Sequence, residues 1–344
     1  FTYNDTDYSV NSWTFDALAT NQYCDTAIAA ADTPSITTVA AMTFAGSFTC
    51  NQTNAISSFT FVSPGFTMAA SSSIDNIKGG VNVSPGSGNI TVNASATLSS
   101  TVAGTAGGAL SVVSPGTLSF GTGAIIKSYG AMTLTGTTSF SVGTGASFTD
   151  SAINTDMNFN MPAGPNQTWT NVTVTGPAEG DLVIDDAYAI TLAGTTAVNA
   201  NVQWTNVTDL TVGSTASINA NGKGCALPGD ATNGYGPNGS NVCTLSTAGY
   251  GGGGAGGGAG SGAGYGGAGT AGANYNSGKA TYGSSTAPTL FGSSGGTGAN
   301  GGVGGSGGGV VRINVTGTLT NDGSITANGS AGTSERGGGS GGSI

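Results

Sequence analysis

Short runs in which an apolar residue alternates with Ser, Thr or Asn recur along the chain, and Gly, Pro, Asn and Ser cut them apart. A two-residue period is that of a half-buried β-strand, whose successive side chains point to opposite faces. The runs are rich in Val, Ile, Thr and Phe, so they predict strands and turns. The best helical candidate is short, the Ala-rich stretch from Thr26 to Asp32.

Internal repeats say more than any one strand. Residues 108–124, GALSVVSPGTLSFGTGA, align without gaps on 130–146, GAMTLTGTTSFSVGTGA, at an offset of 22. Leu110 then matches Met132, Val112 matches Leu134, Leu118 matches Phe140 and Phe120 matches Val142. The segment GNITVNASATLSS at 88–100 fits the same scheme at an offset of 20, which places Ile90, Val92 and Leu98 at the matching positions. Coils of about 20–22 residues, each with two or three short strands, predict an all-β fold of the β-helix or solenoid type. The alternative is a β-sandwich whose neighbouring strands look alike by chance. SPG at 63–65, 84–86 and 114–116 is expected at the corners, with Pro presetting φ and Gly taking the left-handed conformation. WTNVT at 169–173 recurs at 204–208, and LTVGSTASINANGKG at 210–224 resembles LTNDGSITANGSAG at 319–332, which points to further duplication.

These signals divide the chain into four parts. Residues 1–62 form an N-terminal β-segment or cap, 63–224 the repeat region, 225–309 a cysteine pair with a Gly-rich insertion, and 310–344 a closing coil. Glycine loses more backbone freedom on ordering than any other residue. An ordered Gly-rich insertion therefore needs close backbone packing, as between polyproline-II strands, or contacts from neighbouring subunits. At the N-terminus Phe1, Tyr3, Tyr8, Trp13 and Phe15 concentrate aromatic residues. They read as a cap on the β-core or as a strand that docks on the sheet edge of a neighbouring subunit.

Composition then removes function classes. Charged residues are 6% of the chain against about 25% in ordinary proteins. The six cations, Lys78, Lys127, Lys223, Lys279, Arg312 and Arg336, are scattered, so no basic groove is expected for a nucleic acid and no basic helix for a membrane surface. No apolar run approaches the roughly 18 residues needed to cross a bilayer. A start at Phe1 without Met is what removal of an N-terminal signal leaves. Solubility rests on Ser, Thr and Asn, and low charge favours association between copies.

The four cysteines, Cys24, Cys50, Cys225 and Cys243, form no CxxC pair, and there is no His to join them in a zinc site. Two local disulfides, Cys24–Cys50 and Cys225–Cys243, suit an oxidising compartment, although four cysteines allow three pairings. Without His no Ser–His or Cys–His nucleophile can be assembled. The densest acidic cluster is Glu179, Asp181, Asp185 and Asp186; it reads as a solvated turn, as a structural calcium site, or as a carboxylate pair of a β-helix lyase or hydrolase aided by distant Lys127 or Lys223. The expectation is no catalytic residue, no metal and no cofactor. Eleven N-x-S/T triplets open at Asn4, Asn51, Asn82, Asn89, Asn93, Asn166, Asn171, Asn206, Asn238, Asn314 and Asn328. Chance at this composition gives roughly seven or eight, so the repeated WTNVT, with Asn171 and Asn206 expected to point out of the coil, is the better sign of glycosylation.

GGGVVRINV at 307–315, GTLTNDGSITANGSAG and the following RGGGSGGSI resemble a segment of large secreted surface proteins of protists, among them mastigoneme (flagellar hair) proteins of the sexually-induced-gene type. The resemblance covers the last third of the chain. It implies an extracellular, glycosylated filament subunit. The sequence thus reads as a secreted, non-enzymatic structural protein that self-assembles into a filament or surface layer, with copies of itself and glycans as partners. Three rivals are an adhesin or carbohydrate-binding module presenting Trp169 and Trp204, a β-helix lyase or hydrolase using Asp185 or Asp186, and an ice-binding solenoid. The last needs a regular Thr ladder, and the Thr spacing here is irregular, so thermal hysteresis is expected to be absent.

Overall fold

A computed structural model describes residues 8–10, 14–15, 22–23, 35–38, 40–50, 56–76, 79–100, 108–153, 155–162, 166–185, 189–226, 234–237, 243–245, 282–284, 286–296, 304–332 and 337–344. Thr26–Asp32 lies outside them. The described residues form strands and turns and no helix. Three long sheets run side by side. The first has ten strands, from Tyr8–Val10 to Val311–Val315, and the third has ten, from Gln22–Tyr23 to Ser324–Thr326. The second has six strands from Thr14–Phe15 to Ser139–Val142 and then four from Gln167–Thr170 to Leu319–Asn321. Each turn of the chain gives one strand to each sheet, so the described residues form a β-solenoid of ten rungs. Neighbouring rungs pair in parallel, which a sandwich of antiparallel sheets does not do. The short hairpin of Tyr235–Pro237 and Cys243–Leu245 is antiparallel.

Stacking follows the apolar pattern. In the first sheet one column passes through Ile36, Phe61, Val83, Val112, Leu134, Phe159, Ile184, Trp204 and Ile313, each opposite the next. In the third sheet Ile74, Leu98, Ile126, Phe148, Val174, Val198, Ile218 and Ile325 do the same. A one-residue slip would turn each of these to solvent, so burial fixes the register. A second, smaller cluster holds Cys225, Phe291 and Val310, and a continuous core runs through the coil from Met42 to Ala327. An aromatic spine threads it: Phe120 lies 5.1 Å from Phe148, Phe148 5.1 Å from Phe159, Phe159 6.0 Å from Trp169 and Trp169 6.3 Å from Trp204, ring centre to ring centre. Trp169 and Trp204 are fully buried, so they are core residues and not the exposed platform an adhesin would need.

The register predicted at an offset of 22 is the register observed: Leu110 pairs with Met132, Val112 with Leu134, Leu118 with Phe140 and Phe120 with Val142. The offset of 20 for residues 88–100 is corrected. Ile90 pairs with Leu118, Val92 with Phe120 and Leu98 with Ile126, a shift of 28. The period changes because this rung carries the longer connection between Ser100 and Leu110, so Ile90–Val92 belongs to the second sheet and Thr97–Ser100 to the third. The likeness of 210–224 to 319–332 is again a rung on a rung, with Leu210 opposite Leu319 and Ile218 opposite Ile325. Between them the chain leaves the coil and returns, so Val202 pairs with Val311, 109 residues on.

The SPG tripeptides do form corners between the first and second sheets, where Gly86 N–H donates to Ser63 O at 3.1 Å and Gly116 N–H to Gly88 O at 3.2 Å. Their glycines are not left-handed, which corrects that expectation. Left-handed positions recur instead in the turns between the second and third sheets, at Ser71, Ser95, Gly123 and Gly145 among others, with φ of 62°, 56°, 67° and 72°, and one first-to-second-sheet corner has its left-handed residue two positions after SPG, at Gly88. Each turn closes on itself: Ala96 N–H donates to Asn93 O, Ala124 N–H to Gly121 O and Ala146 N–H to Gly143 O, at 3.1, 3.1 and 3.2 Å. The repeated GTGA is therefore a stacked turn whose third residue needs positive φ, where glycine is unstrained.

Candidate functional site

Four places on this frame could carry function. The first is the acidic corner between the third and first sheets. Asp150 ends the third-sheet strand Ser147–Asp150 and is buried. Its Oδ1 accepts the Ala152 N–H at 2.9 Å, while Oδ2 is buried with no hydrogen-bond partner among the described residues. One rung on, the Asp181 N–H donates to Asp156 Oδ1 at 3.0 Å. Burial pushes the Asp150 carboxyl up to about 7; the Ala152 N–H pulls it down, Asp156 adds repulsion, and Lys223 offsets part of it. Burial also pushes Asp181 up to about 6, with Asp156 adding and Arg312 opposing. Glu179, at a φ of 59°, accepts the Ala226 N–H at 3.4 Å and is raised by burial. Lys223 is held below its ordinary value by burial, against the pull of Asp150, and donates to Gly176 O at 2.8 Å.

This corner only partly matches the predicted cluster. Asp185 is at the far end of its strand, exposed, and accepts from Thr205 Oγ1 and from Asn206 Nδ2. Asp186 lies outside the described residues. Asp150 and Asp156, which sequence reasoning did not single out, come from the rung below; Lys223 does approach, while Lys127 stands exposed on the third sheet. Among the described residues no group of three or more His, Cys, Asp or Glu side chains could hold a metal ion.

The second place is the knot that fastens the insertion. Asn201 is fully buried; its Nδ2 donates to Gly180 O at 3.1 Å and Lys223 O at 3.0 Å, and its Oδ1 accepts Val310 N–H at 3.0 Å. Beside it, stretches 291–296, 304–309 and 337–342 lie backbone on backbone without forming a β-ladder. Gly292 N–H donates to Gly308 O at 2.7 Å, Gly308 N–H to Ser340 O at 2.8 Å and Ser340 N–H to Ser293 O at 3.0 Å. A Cβ on Gly307 would lie 1.9 Å from Gly292 O, so only glycine permits this approach. The disulfide Cys225–Cys243 closes against Phe291 and Val310. Cys24 and the side chain of Cys50 lie outside the described residues.

The third place is the outer face of the second sheet. Thr43, Thr67, Thr91, Ser119 and Ser141 stand opposite one another on its lower strands, and Thr168, Thr191, Thr211 and Thr320 form a separate file on its four upper strands. The Thr spacing is irregular along the chain, yet corners of different length absorb the differences and set one hydroxyl per rung. Irregular spacing is therefore no argument against a regular ladder, which corrects the premise used above.

The fourth place is the open end. On the last rung, Leu319–Asn321 and Ser324–Thr326 pair on one side only among the described residues, whereas Val311–Val315 is met at its start by Ser343, whose O accepts the Val311 N–H at 2.9 Å. The interior runs out there: Leu319 is 54% and Ile344 64% exposed. A cavity of about 250 Å³ lies against Leu210, Ile313, Val315, Leu319 and Ile325. At the opposite end Tyr8 and Phe15 lie in edge strands of the first and second sheets; Phe1, Tyr3 and Trp13 lie outside the described residues.

Of the sequons, Asn89, Asn166, Asn171, Asn206, Asn314 and Asn328 are exposed, and Asn82 and Asn93 are half-buried. Asn4, Asn51 and Asn238 lie outside the described residues. The two WTNVT copies share an unforeseen feature: Asn171 and Asn206 are both left-handed, with φ of 55° and 57°. Asn171 therefore turns the chain after its strand, whereas Asn206 sits inside Asn201–Val207 at the irregularity where pairing with Val311–Val315 shifts register between Trp204 and Val207. Asn171 Oδ1 accepts Thr195 N–H at 2.9 Å. Compared with known proteins, the chain matches no family model, no curated protein and no solved structure.

Proposed function

We propose that this chain is a structural subunit of an extracellular filament or surface layer, with no catalytic role. The observation that supports this most is the pair of strand edges at Leu319–Asn321 and Ser324–Thr326, which have no second partner among the described residues and where the apolar core ends at exposed Leu319. Such edges invite pairing with another chain, which monomeric proteins suppress. A parallel solenoid transmits load along a ladder of backbone hydrogen bonds, and its hydroxyl-covered faces keep it in water without charge. The Cys225–Cys243 disulfide suits an oxidising compartment. Exposed Asn89, Asn166, Asn171, Asn206, Asn314 and Asn328 are the positions where glycans are accommodated without disturbing the core. The glycine-rich closing segment that resembles mastigoneme-type proteins fits the same role.

Electron microscopy of the native material, with sedimentation at rising concentration, tests the proposal. Regular filaments or sheets are expected; dispersed monomers at high concentration would remove it. The adhesin reading survives on different ground, the files of hydroxyls on the second sheet, and a glycan array with the isolated chain decides it.

A further inference from the structure

We infer that the place where the chain leaves the coil and rejoins it is a latch, closed in acid and loosened as pH rises to neutral and above. The latch works alike in a filament subunit and in a solitary chain. Its geometry brings each buried carboxyl of the acidic corner to one residue of the detour's two roots. At the outgoing root, Lys223 reaches down two rungs, and its Nζ donates to Gly176 O at 2.8 Å. Gly176 follows Thr175, the backbone partner of Thr149, so the ammonium comes to the corner that holds Asp150, and the two charges act on each other. Three residues on, the Ala226 N–H donates to Glu179 Oε1 at 3.4 Å. At the returning root, Arg312 stands on Val311–Val315 and draws on Asp181. Asp181 is in turn the backbone partner of Asn201, whose side chain holds both roots at once, through Lys223 O and Val310 N–H.

The roots have a thin apolar seat. Their backbones meet glycine on glycine, as where Gly224 N–H donates to Gly307 O at 2.9 Å, and the apolar cluster beside them is small, Cys225, Phe291 and Val310. A segment with few buried apolar contacts opens at lower free energy than the core. The roots can therefore lift while the rungs below stay stacked, and lifting them admits water to Asp150, Glu179 and Asp181. Among the described residues, the charged groups facing one another at this corner are these three, Asp156, Lys223 and Arg312. Burial raises all three carboxyls, Asp150 to about 7 and Asp181 to about 6, and Asp156 adds repulsion on both of those. Below about pH 4 the acids are protonated whether the latch is shut or open, and they favour neither form. As pH rises the opened form ionises first, so the closed form loses ground until Asp181 and then Asp150 ionise within it. The loss is complete above about pH 7. Lys223, held low by burial, titrates on the alkaline side and leaves this sign unchanged.

Hydrogen exchange on the full chain, followed amide by amide at pH 5 and pH 8 and expressed as protection factors, tests the latch. The root reporters are the N–H groups of Gly224, Cys225 and Val310, bound to Gly307 O, Gly292 O and Asn201 Oδ1; Leu110, bound to Ala131 O, reports on the coil. Each pKa unit regained on opening is a factor of about ten. Root protection is thus expected to fall at least about tenfold from pH 5 to pH 8, while staying below that of Leu110 at both. Asp150→Asn and Asp181→Asn together should abolish most of that fall. Where the pair does not fold, Asp181→Asn alone, at a half-buried position, should shrink it. Root protection that does not change with pH would overturn the latch, and so would a fall that these substitutions leave unaltered. One common protection for the root amides and Leu110 would show the molecule opening as a whole, which overturns it equally.

Discussion

Replacing Asp150 with Asn should invert part of the molecule's pH dependence. The carboxyl is buried at the end of its strand, with one oxygen bound and the other unpartnered, and it titrates at about 7 against an ordinary value of 3.8. Below about pH 4 the group is protonated in both folded and unfolded chains and contributes no penalty. Between pH 4 and 7 the unfolded chain ionises while the folded one stays protonated, so stability falls as pH rises. Above pH 7 the loss is complete. A difference of about three pH units at about 1.4 kcal/mol each sets a ceiling of about 4 kcal/mol, which solvent at the corner and the nearby Lys223 reduce. Asparagine keeps an oxygen for the Ala152 N–H but buries an amide nitrogen in place of Oδ2, at about 1–3 kcal/mol. The two profiles should cross: Asp150→Asn is less stable than the parent near pH 4 and more stable near pH 8. Asp181, raised to about 6, leaves a residual slope of the same sign in both proteins. Lys223, held low by burial, adds slope only toward alkaline pH. Urea denaturation at pH 4, 6 and 8 reads the difference. Parallel profiles for parent and variant would refute the reasoning.

Other perturbations address the spine, the insertion and the end. Trp204→Ala empties the aromatic spine at its upper end and should cost about 3–5 kcal/mol, read from the urea midpoint. Gly307→Ala drives a Cβ to 1.9 Å from Gly292 O; a loss of about 1–3 kcal/mol or more is expected, with faster proteolysis within residues 225–309. Removing the Cys225–Cys243 bond by replacing both with Ser should lower stability by about 3 kcal/mol, and reduction of the parent should reproduce the shift in thermal midpoint. Leu319→Asp should leave folding within about 0.5 kcal/mol, because the side chain is largely exposed, yet abolish concentration-dependent sedimentation.

The parts of the fold legible in the sequence are those where neighbouring rungs have equal length. Residues 108–124 and 130–146 differ by no insertion, so their alignment is also their hydrogen-bond register. Residues 88–100 were displaced by eight because the connection after Ser100 lengthens that rung, and an alternating pattern does not tell which sheet a short strand joins. Trp169 and Trp204 were candidates for an exposed face only under the adhesin reading; alternation along their strands buries both, and their rings belong to the spine. The acidic corner was half visible. Asp150 and Asp156 are 25 to 31 residues before Asp181 and become its neighbours only through stacking. Asn201 looks like one more turn asparagine; its role depends on Val310, 109 residues away.

The detour between the ninth and tenth rungs has a consequence for the order of events in folding. Lower rungs close on neighbours some 20 to 29 residues away, whereas the tenth waits for a loop of 109 residues to return. Closing so long a loop is slower and entropically less favourable than adding a rung locally. Its return also requires the glycine segments to align and Asn201 to capture Val310. The last rung is thus the final piece of the molecule to form. A chain whose long loop has not returned therefore lacks its whole last rung, while the nine rungs below it can already be in place.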